Sequence, residues 1–345
     1  LVTESVPFFV NGSGNKTYEL KKLLESATSE SLSNKSLVVE YSSNPAWYAV
    51  QALTYLTDYP YECSEQTFNR LYGNLLAAHI VSKMPRIKSV MEKWQTTDTA
   101  ALLSNLHKNQ ELKQVLLEET PWVLEAQSES EQKKRIAQLF DLVKLATNRN
   151  KLAAQLLEMQ SPNGGFSWFK GGPDDRYITQ YIVTGIGHLL KLGAVTEDME
   201  ELTTVVEKAL PYLDARIKED YDKRDKKAKT VTYLNYYAAQ YHYMRSFFPK
   251  NGIPGQYMAA ANHYRKEIQQ NWQKGNRMAK GMIALTLHRT GDKQNAQSIL
   301  KSLEETSIKN EELGMYWKDN SSRYYWQDAP IETQSLLIEA FSEIG

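Results

Sequence analysis

Tyr59-Pro60-Tyr61-Glu62-Cys63-Ser64-Glu65-Gln66-Thr67 runs directly into a segment whose apolar residues fall at helical spacing: Leu71, Leu75, Ala78 and Val81. The spacing predicts a helix over 64–83. Pro60 fixes the backbone just ahead of it. The same period returns from Asn44-Pro45 to the end of the chain, where Asn44 can cap a helix and Pro45 can take its first turn. Helices are expected near 45–57, 64–83, 86–95, 98–117, 128–143, 147–158, 177–192, 197–218, 231–246, 256–271, 276–290, 293–305 and 331–344. Strand signals almost vanish after residue 45. The fold class read from this pattern is all-α, an array of helical hairpins joined by short loops.

Before residue 42 the texture differs. Lys16-Thr17-Tyr18-Glu19-Leu20 and Ser36-Leu37-Val38-Val39-Glu40-Tyr41 alternate polar and apolar positions, and Asn11-Gly12-Ser13-Gly14-Asn15 is a turn-rich break. Two or three strands are expected there, too few to bury a core alone. Residues 1–41 are therefore expected to be the edge of a β domain, and residues 42–345 the helical domain. The chain opens on Leu1-Val2-Thr3-Glu4 and stops inside a helical pattern at Ile344-Gly345, so a segment excised from a longer protein is expected.

Composition excludes several classes. Lys+Arg and Asp+Glu both number 41, so no polyanion partner is implied and nucleic-acid binding by charge is not expected. The run Lys223-Arg224-Asp225-Lys226-Lys227-Ala228-Lys229 has no interleaved aromatics and reads as a solvated helix end or loop. No apolar run approaches the roughly 18 residues needed to cross a bilayer, so no membrane insertion is expected. The one cysteine rules out an intrachain disulfide and a multi-cysteine metal site. No GxSxG, HExxH, P-loop or EF-hand pattern occurs. No cofactor and no metal are expected.

That cysteine carries the chemistry. Cys63 and Gln66 are three residues apart, where side chains on one helical turn meet. The Cys63 sulfur can replace ammonia on the Gln66 carbonyl, closing an internal thioester ring of about fifteen atoms, which ordinary bond lengths allow. Such a bond is an acyl group with a good leaving group, held until a nucleophile arrives. The plainer reading of Cys63 is a buried, inert thiol. Glu65 fits equally well as a polar neighbour of the reacting pair and as an acid favoured by the helix dipole.

Pro60-Tyr61-Glu62-Cys63-Ser64-Glu65-Gln66-Thr67 resembles the thioester motif of the alpha-2-macroglobulin and complement family, usually Pro-Tyr-Gly-Cys-Gly-Glu-Gln, and is most similar to the bacterial branch, where Cys-x-Glu-Gln-Thr is common. Ser43–Leu53, the Gly164-Gly165-Phe166-Ser167-Trp168 turn and Tyr325–Gln334 resemble that branch too. The resemblance implies an α/α toroid as thioester domain, inserted into a CUB-like β domain and lacking its last one or two helices here. It assigns the sulfur to Cys63, the acyl carbon to Gln66 and a neighbouring role to Glu65. It implies an endopeptidase inhibitor, not an enzyme: a single-turnover covalent trap in the periplasm or at the surface of a Gram-negative bacterium. Its partners would be target proteases and the other macroglobulin-like domains of the same polypeptide.

The chain departs from the family motif at Glu62 and Ser64, where glycines are usual. Relatives that prefer hydroxyl targets carry a histidine after the later Gly-Phe turn. Residues 164–172 here contain none, which points to amine targets such as surface lysines. A stored thioester must be kept from water; Tyr61, Trp168, Phe169 and Tyr177 are the candidate shield, with ordinary core packing as their plainer reading. His188, His242, His263 and His288 lie in helical runs and read as packing or surface residues. The alternatives are a thioester adhesin that bonds host surfaces, and an enzyme of the same toroid class such as a terpene cyclase or prenyltransferase. Asp174-Asp175 is a poor cyclase acid pair, and the zinc-binding Asp, Cys and His of a prenyltransferase are not in evidence.

Overall fold

The computed structural model describes residues 15, 17–32, 53, 56, 62–83, 142–196, 199–224, 234–310, 314–320 and 329–345. The chain divides into two compact units, Leu1–Tyr55 with Ile80–Leu145, and Leu56–His79 with Ala146–Gly345.

In the first unit a short helix, α1 (Lys21–Ser26), buries none of its residues. The strand expected over Lys16–Leu20 is not formed at residues 17–20, which lead irregularly into α1. Leu20, Leu23 and Leu24 continue the run at helical spacing, and that period prevails over the short alternation before it. The expected strand at 36–41 and the helices at 86–95 and 98–117 lie outside the described residues. So does most of 45–57 and 128–143, although Leu53 and Leu56 are helical.

The second unit holds the helices that build the core. They are α2 (Ser64–Lys83, its last turn in the first unit), α3 (Leu142–Met159, which begins there), α4 (Arg176–Leu192), α5 (Glu200–Lys223), α6 (Tyr236–Arg245), α7 (Gly255–Asn271), α8 (Arg277–Arg289), α9 (Lys293–Glu305) and α10 (Pro330–Ile344). Their starts are chemically marked. Asp175, Asn235, Asn276 and Asp292 cap α4, α6, α8 and α9, each side chain accepting a hydrogen bond from a backbone N–H in the first turn, at 2.9–3.2 Å. α4 stops at Gly193, whose φ of 69° is the left-handed conformation that ends helices.

Two small antiparallel hairpins interrupt the helices. β1 (Phe166–Ser167) pairs with β2 (Asp174–Asp175), Phe166 opposite Asp175. β3 (Ile308–Asn310) pairs with β4 (Gly314–Tyr316), Ile308 opposite Tyr316. Strands of two or three residues leave no periodic trace in a sequence. Both hairpins sit between helices, one before α4 and one before α10. Phe166 of β1 is buried, and so is Trp317, the residue after β4, whose indole N–H donates to the Leu303 carbonyl at 3.0 Å.

Within this unit α4, α6, α8 and α10 lie side by side in that order. α5 packs on α4 and α6, α7 on α6 and α8, and α9 on α8 and α10. Each second-layer helix returns the chain so that the next first-layer helix starts at the same end. Ile178, Ile182, Ile186 and Leu189 of α4 face the core at i, i+4, i+8 and i+11. The mostly helical chain with its few short strands is the all-α class read from the sequence.

Candidate functional site

Cys63 stands at the start of α2 and is 4% exposed. Its backbone N–H donates to Oε1 of Gln66 at 3.4 Å, and the Gln66 N–H donates to Cys63 Sγ at 3.4 Å. This reciprocal pair is a capping box with sulfur in place of the usual hydroxyl. The carbonyl of Cys63 accepts the first helical bond, from Thr67 N–H at 2.9 Å. The local rule that starts a helix therefore also sets a sulfur beside a carboxamide.

A second segment clamps this start. The Ser64 N–H donates to the Trp168 carbonyl at 3.1 Å, tying α2 to the end of β1. That strand is itself pinned to α4: Phe166 N–H donates to Thr179 Oγ1 at 2.8 Å, and Thr179 Oγ1 donates to the Asp175 carbonyl at 2.7 Å. Gly164 makes the turn possible. Its φ is 94°, and a β-carbon there would sit 2.0 Å from the Lys208 carbonyl oxygen. Further along α2, Phe68 is buried against Gly185 of α4 and meets Tyr181 edge-on, ring centroids 5.9 Å apart.

Around the pair the side chains are aromatic and acidic. Trp168 stacks on Tyr177 at 6.1 Å, and Tyr177 lies 6.3 Å from Tyr181. Glu65 Oε1 accepts from Asn69 Nδ2 at 3.2 Å, and Asn69 Oδ1 accepts from the Tyr181 hydroxyl at 2.7 Å. Burial first, then the charges of Glu332 and Glu65, raise the Tyr177 pKa, and burial followed by Glu65 and Glu332 does the same to Tyr181. Both phenols stay protonated. Glu332, in the first turn of α10, has its pKa raised by surrounding protein first and by Glu65 second.

Of the sequence-derived candidates, Cys63, Gln66, Glu65, Trp168 and Tyr177 come together here. Phe169 stands 68% exposed beyond the stack, and Tyr61 lies outside the described residues. Sequence reasoning missed Asn69, Tyr181 and Glu332. Asn69 and Tyr181 each follow a candidate by four residues, one helical turn. Glu332 carries a helix-start signal, an acid two residues after Pro330. His188 pairs with the Tyr243 hydroxyl at 2.7 Å, and His242 is buried in α6. Among the described residues no group of three or more His, Cys, Asp or Glu can hold a metal, and no helix is long and apolar enough to cross a membrane.

Comparison with known proteins gives loose structural matches. A crystal structure of Salmonella alpha-2-macroglobulin reacted with methylamine aligns with 86% of this chain and 16% of its own, at 16% identity and a TM-score of 0.39. The native conformation of E. coli alpha-2-macroglobulin, seen by cryo-electron microscopy, aligns with 85% of this chain and 15% of its own, at 17% identity and a TM-score of 0.37. The chain thus spans about a sixth of the length of the proteins it is similar to. No family model and no curated protein matches it. Likeness of this degree leaves the functional reading to the site's own chemistry.

Proposed function

We propose that this chain carries the thioester domain of a bacterial alpha-2-macroglobulin-like endopeptidase inhibitor. The observation that carries the reading is the reciprocal Cys63–Gln66 contact, clamped by the Trp168 carbonyl. In the charging step the Cys63 sulfur adds to the Gln66 side-chain carbonyl carbon, the C–N bond breaks, and ammonia leaves with the thiol proton. In the trapping step a lysine amine of a captured protease attacks the same carbon. An amide forms, the C–S bond breaks, and the thiol of Cys63 reappears. No imidazole stands in the 164–172 turn to relay the acyl group, which favours amines over hydroxyls.

Residues 42–345 would form the α/α toroid, and residues 1–41 the edge of a CUB-like domain. The parent would act in the periplasm or at the cell surface, with target proteases and its own macroglobulin-like domains as partners. Mass spectrometry of the full-length protein, purified without amines, tests this. A charged site is lighter by one ammonia, about 17 Da, and shows no titratable thiol until methylamine releases one. A full mass with a reactive thiol throughout would overturn the reading.

A further inference from the structure

The chain carries three Asn-Gly pairs: Asn11-Gly12, outside the described residues, Asn163-Gly164 and Asn251-Gly252. In such a pair the backbone nitrogen of the glycine can attack the asparagine side chain, because glycine puts no β-carbon in the way. The reaction needs a free side-chain amide, a free glycine N–H and room to bring them together. The two described pairs have opposite surroundings.

Asn163 is clamped. Its Nδ2 donates to Asp174 Oδ2 at 2.5 Å, its Oδ1 accepts from the Gly165 N–H at 3.0 Å, and the Gly164 N–H donates to the Ser161 carbonyl at 2.8 Å. Asn251 lies in the connection between α6 and α7. It and Gly252 are exposed, and among the described residues neither the Asn251 side-chain amide nor the Gly252 N–H makes a hydrogen bond. What is held here is the pair of main-chain carbonyls. Arg245, the last residue of α6, donates from Nη1 to the Asn251 carbonyl at 3.0 Å and from Nη2 to the Gly252 carbonyl at 3.3 Å. The guanidinium draws electron density from the Asn251–Gly252 peptide and makes its N–H more acidic.

We infer that Asn251 is a self-modification site, losing its side-chain ammonia to attack by the Gly252 nitrogen; the inference stands apart from the thioester reading. The nitrogen forms a bond to the Asn251 side-chain carbonyl carbon, the C–NH2 bond breaks, and ammonia leaves with the Gly252 proton. The cyclic imide then takes up water. Opening at the side-chain carbonyl leaves aspartate. Opening at the main-chain carbonyl leaves isoaspartate, with the chain now running through the side-chain methylene. Isoaspartate displaces the two carbonyls that Arg245 holds. Nη2 of the same arginine donates to Asp214 Oδ2 at 3.1 Å, and Asp214, 1% exposed, accepts from the Tyr241 hydroxyl at 2.6 Å. The modification therefore reaches a buried charge pair.

The test incubates the full-length protein at mildly alkaline pH and follows the Asn-Gly peptides by digestion and mass spectrometry. Intact mass does not serve, because the imide and the proposed thioester are both lighter by one ammonia. Completed deamidation adds about 1 Da to a peptide. In the folded protein it should run at least about tenfold faster at Asn251 than at Asn163. In urea the two rates should come within about threefold, since the clamp on Asn163 is gone. Gly252→Ala, whose β-carbon meets nothing within 4 Å, should slow the loss at Asn251 about tenfold and leave the fold intact. Equal rates at the two sites in the folded protein, an unmodified Asn251, a gap that persists in urea, or a Gly252→Ala variant as fast as the natural chain would each overturn the inference. None of these outcomes changes the thiol released by methylamine, which tests the thioester reading separately.

Discussion

The indole of Trp168 stacks on the ring of Tyr177 with centroids 6.1 Å apart and planes 21° from parallel, while the backbone carbonyl of the same Trp168 accepts from Ser64. One residue thus joins the candidate reactive loop through its main chain and covers the ground beside it through its side chain. These two jobs are separable by mutation, because side-chain truncation leaves the carbonyl in place.

If the proposed thioester forms, Trp168→Ala should keep the start of α2 intact and admit water to it. An aromatic pair of this kind is worth about 0.5–1.5 kcal/mol beyond its buried area. Spontaneous loss of the ammonia-lighter mass should accelerate roughly two- to tenfold. Phe169→Ala is the contrast. That ring is 68% exposed and covers little, so hydrolysis should hardly change. Hydrolysis followed over hours by mass spectrometry decides it. Equal half-lives for Trp168→Ala and the natural chain would remove Trp168 from the shield.

His242 sets a pH dependence for the fold. Burial, then the positive charges of Arg265 and Arg245, push its pKa from 6.5 down to about 3, against an opposing hydrogen bond to the backbone of Ala261. Above pH 6.5 the ring is neutral whether the chain is folded or not. Between 6.5 and 3 the unfolded chain takes up a proton that the folded chain refuses, so stability falls as pH drops through that window. The slope approaches about 1.4 kcal/mol per pH unit. Unfolding free energies from urea titration at pH 7 and pH 4.5 should differ by about 2–3 kcal/mol more in the natural chain than in His242→Phe. The same difference in both would show that His242 is not the group responsible.

The sequence carried the helical frame because helices are written locally. α2 and α9 fall at 64–83 and 293–305, where apolar spacing and first-turn chemistry coincide. The Cys63–Gln66 pair was legible for the same reason, since both partners sit in one turn. Glu332 was not, because its relation to Glu65 depends on how α10 comes to lie near α2. The strand expected at Lys16–Leu20 shows the converse. Five alternating residues are a weaker signal than the helical spacing of Leu20, Leu23 and Leu24 that follows. The hairpin of β1 and β2 has strands of two residues, below what alternation can reveal. Yet this hairpin delivers the Trp168 carbonyl to Ser64.

The packing of α2 on α4 gives the last prediction. Gly185 faces Phe68, and a β-carbon at 185 would stand 2.3 Å from Cζ and 2.5 Å from Cε1 of that ring. Phe68 is 2% exposed, packed in the core. Gly185→Ala must push α2 away from α4 or distort the ring, which costs about 1–3 kcal/mol. Because Phe68 follows Gln66 by two residues, the same shift strains the Cys63–Gln66 contact and the Ser64–Trp168 bond. Charging should fall along with stability. Gly255→Ala is the control: a β-carbon there meets nothing within 4 Å, and its effect should stay within about 0.5 kcal/mol. Denaturant unfolding together with the charged fraction by mass tests both. A Gly185→Ala protein with unchanged midpoint and full charging would show that α2 reaches its reactive geometry without close packing on α4.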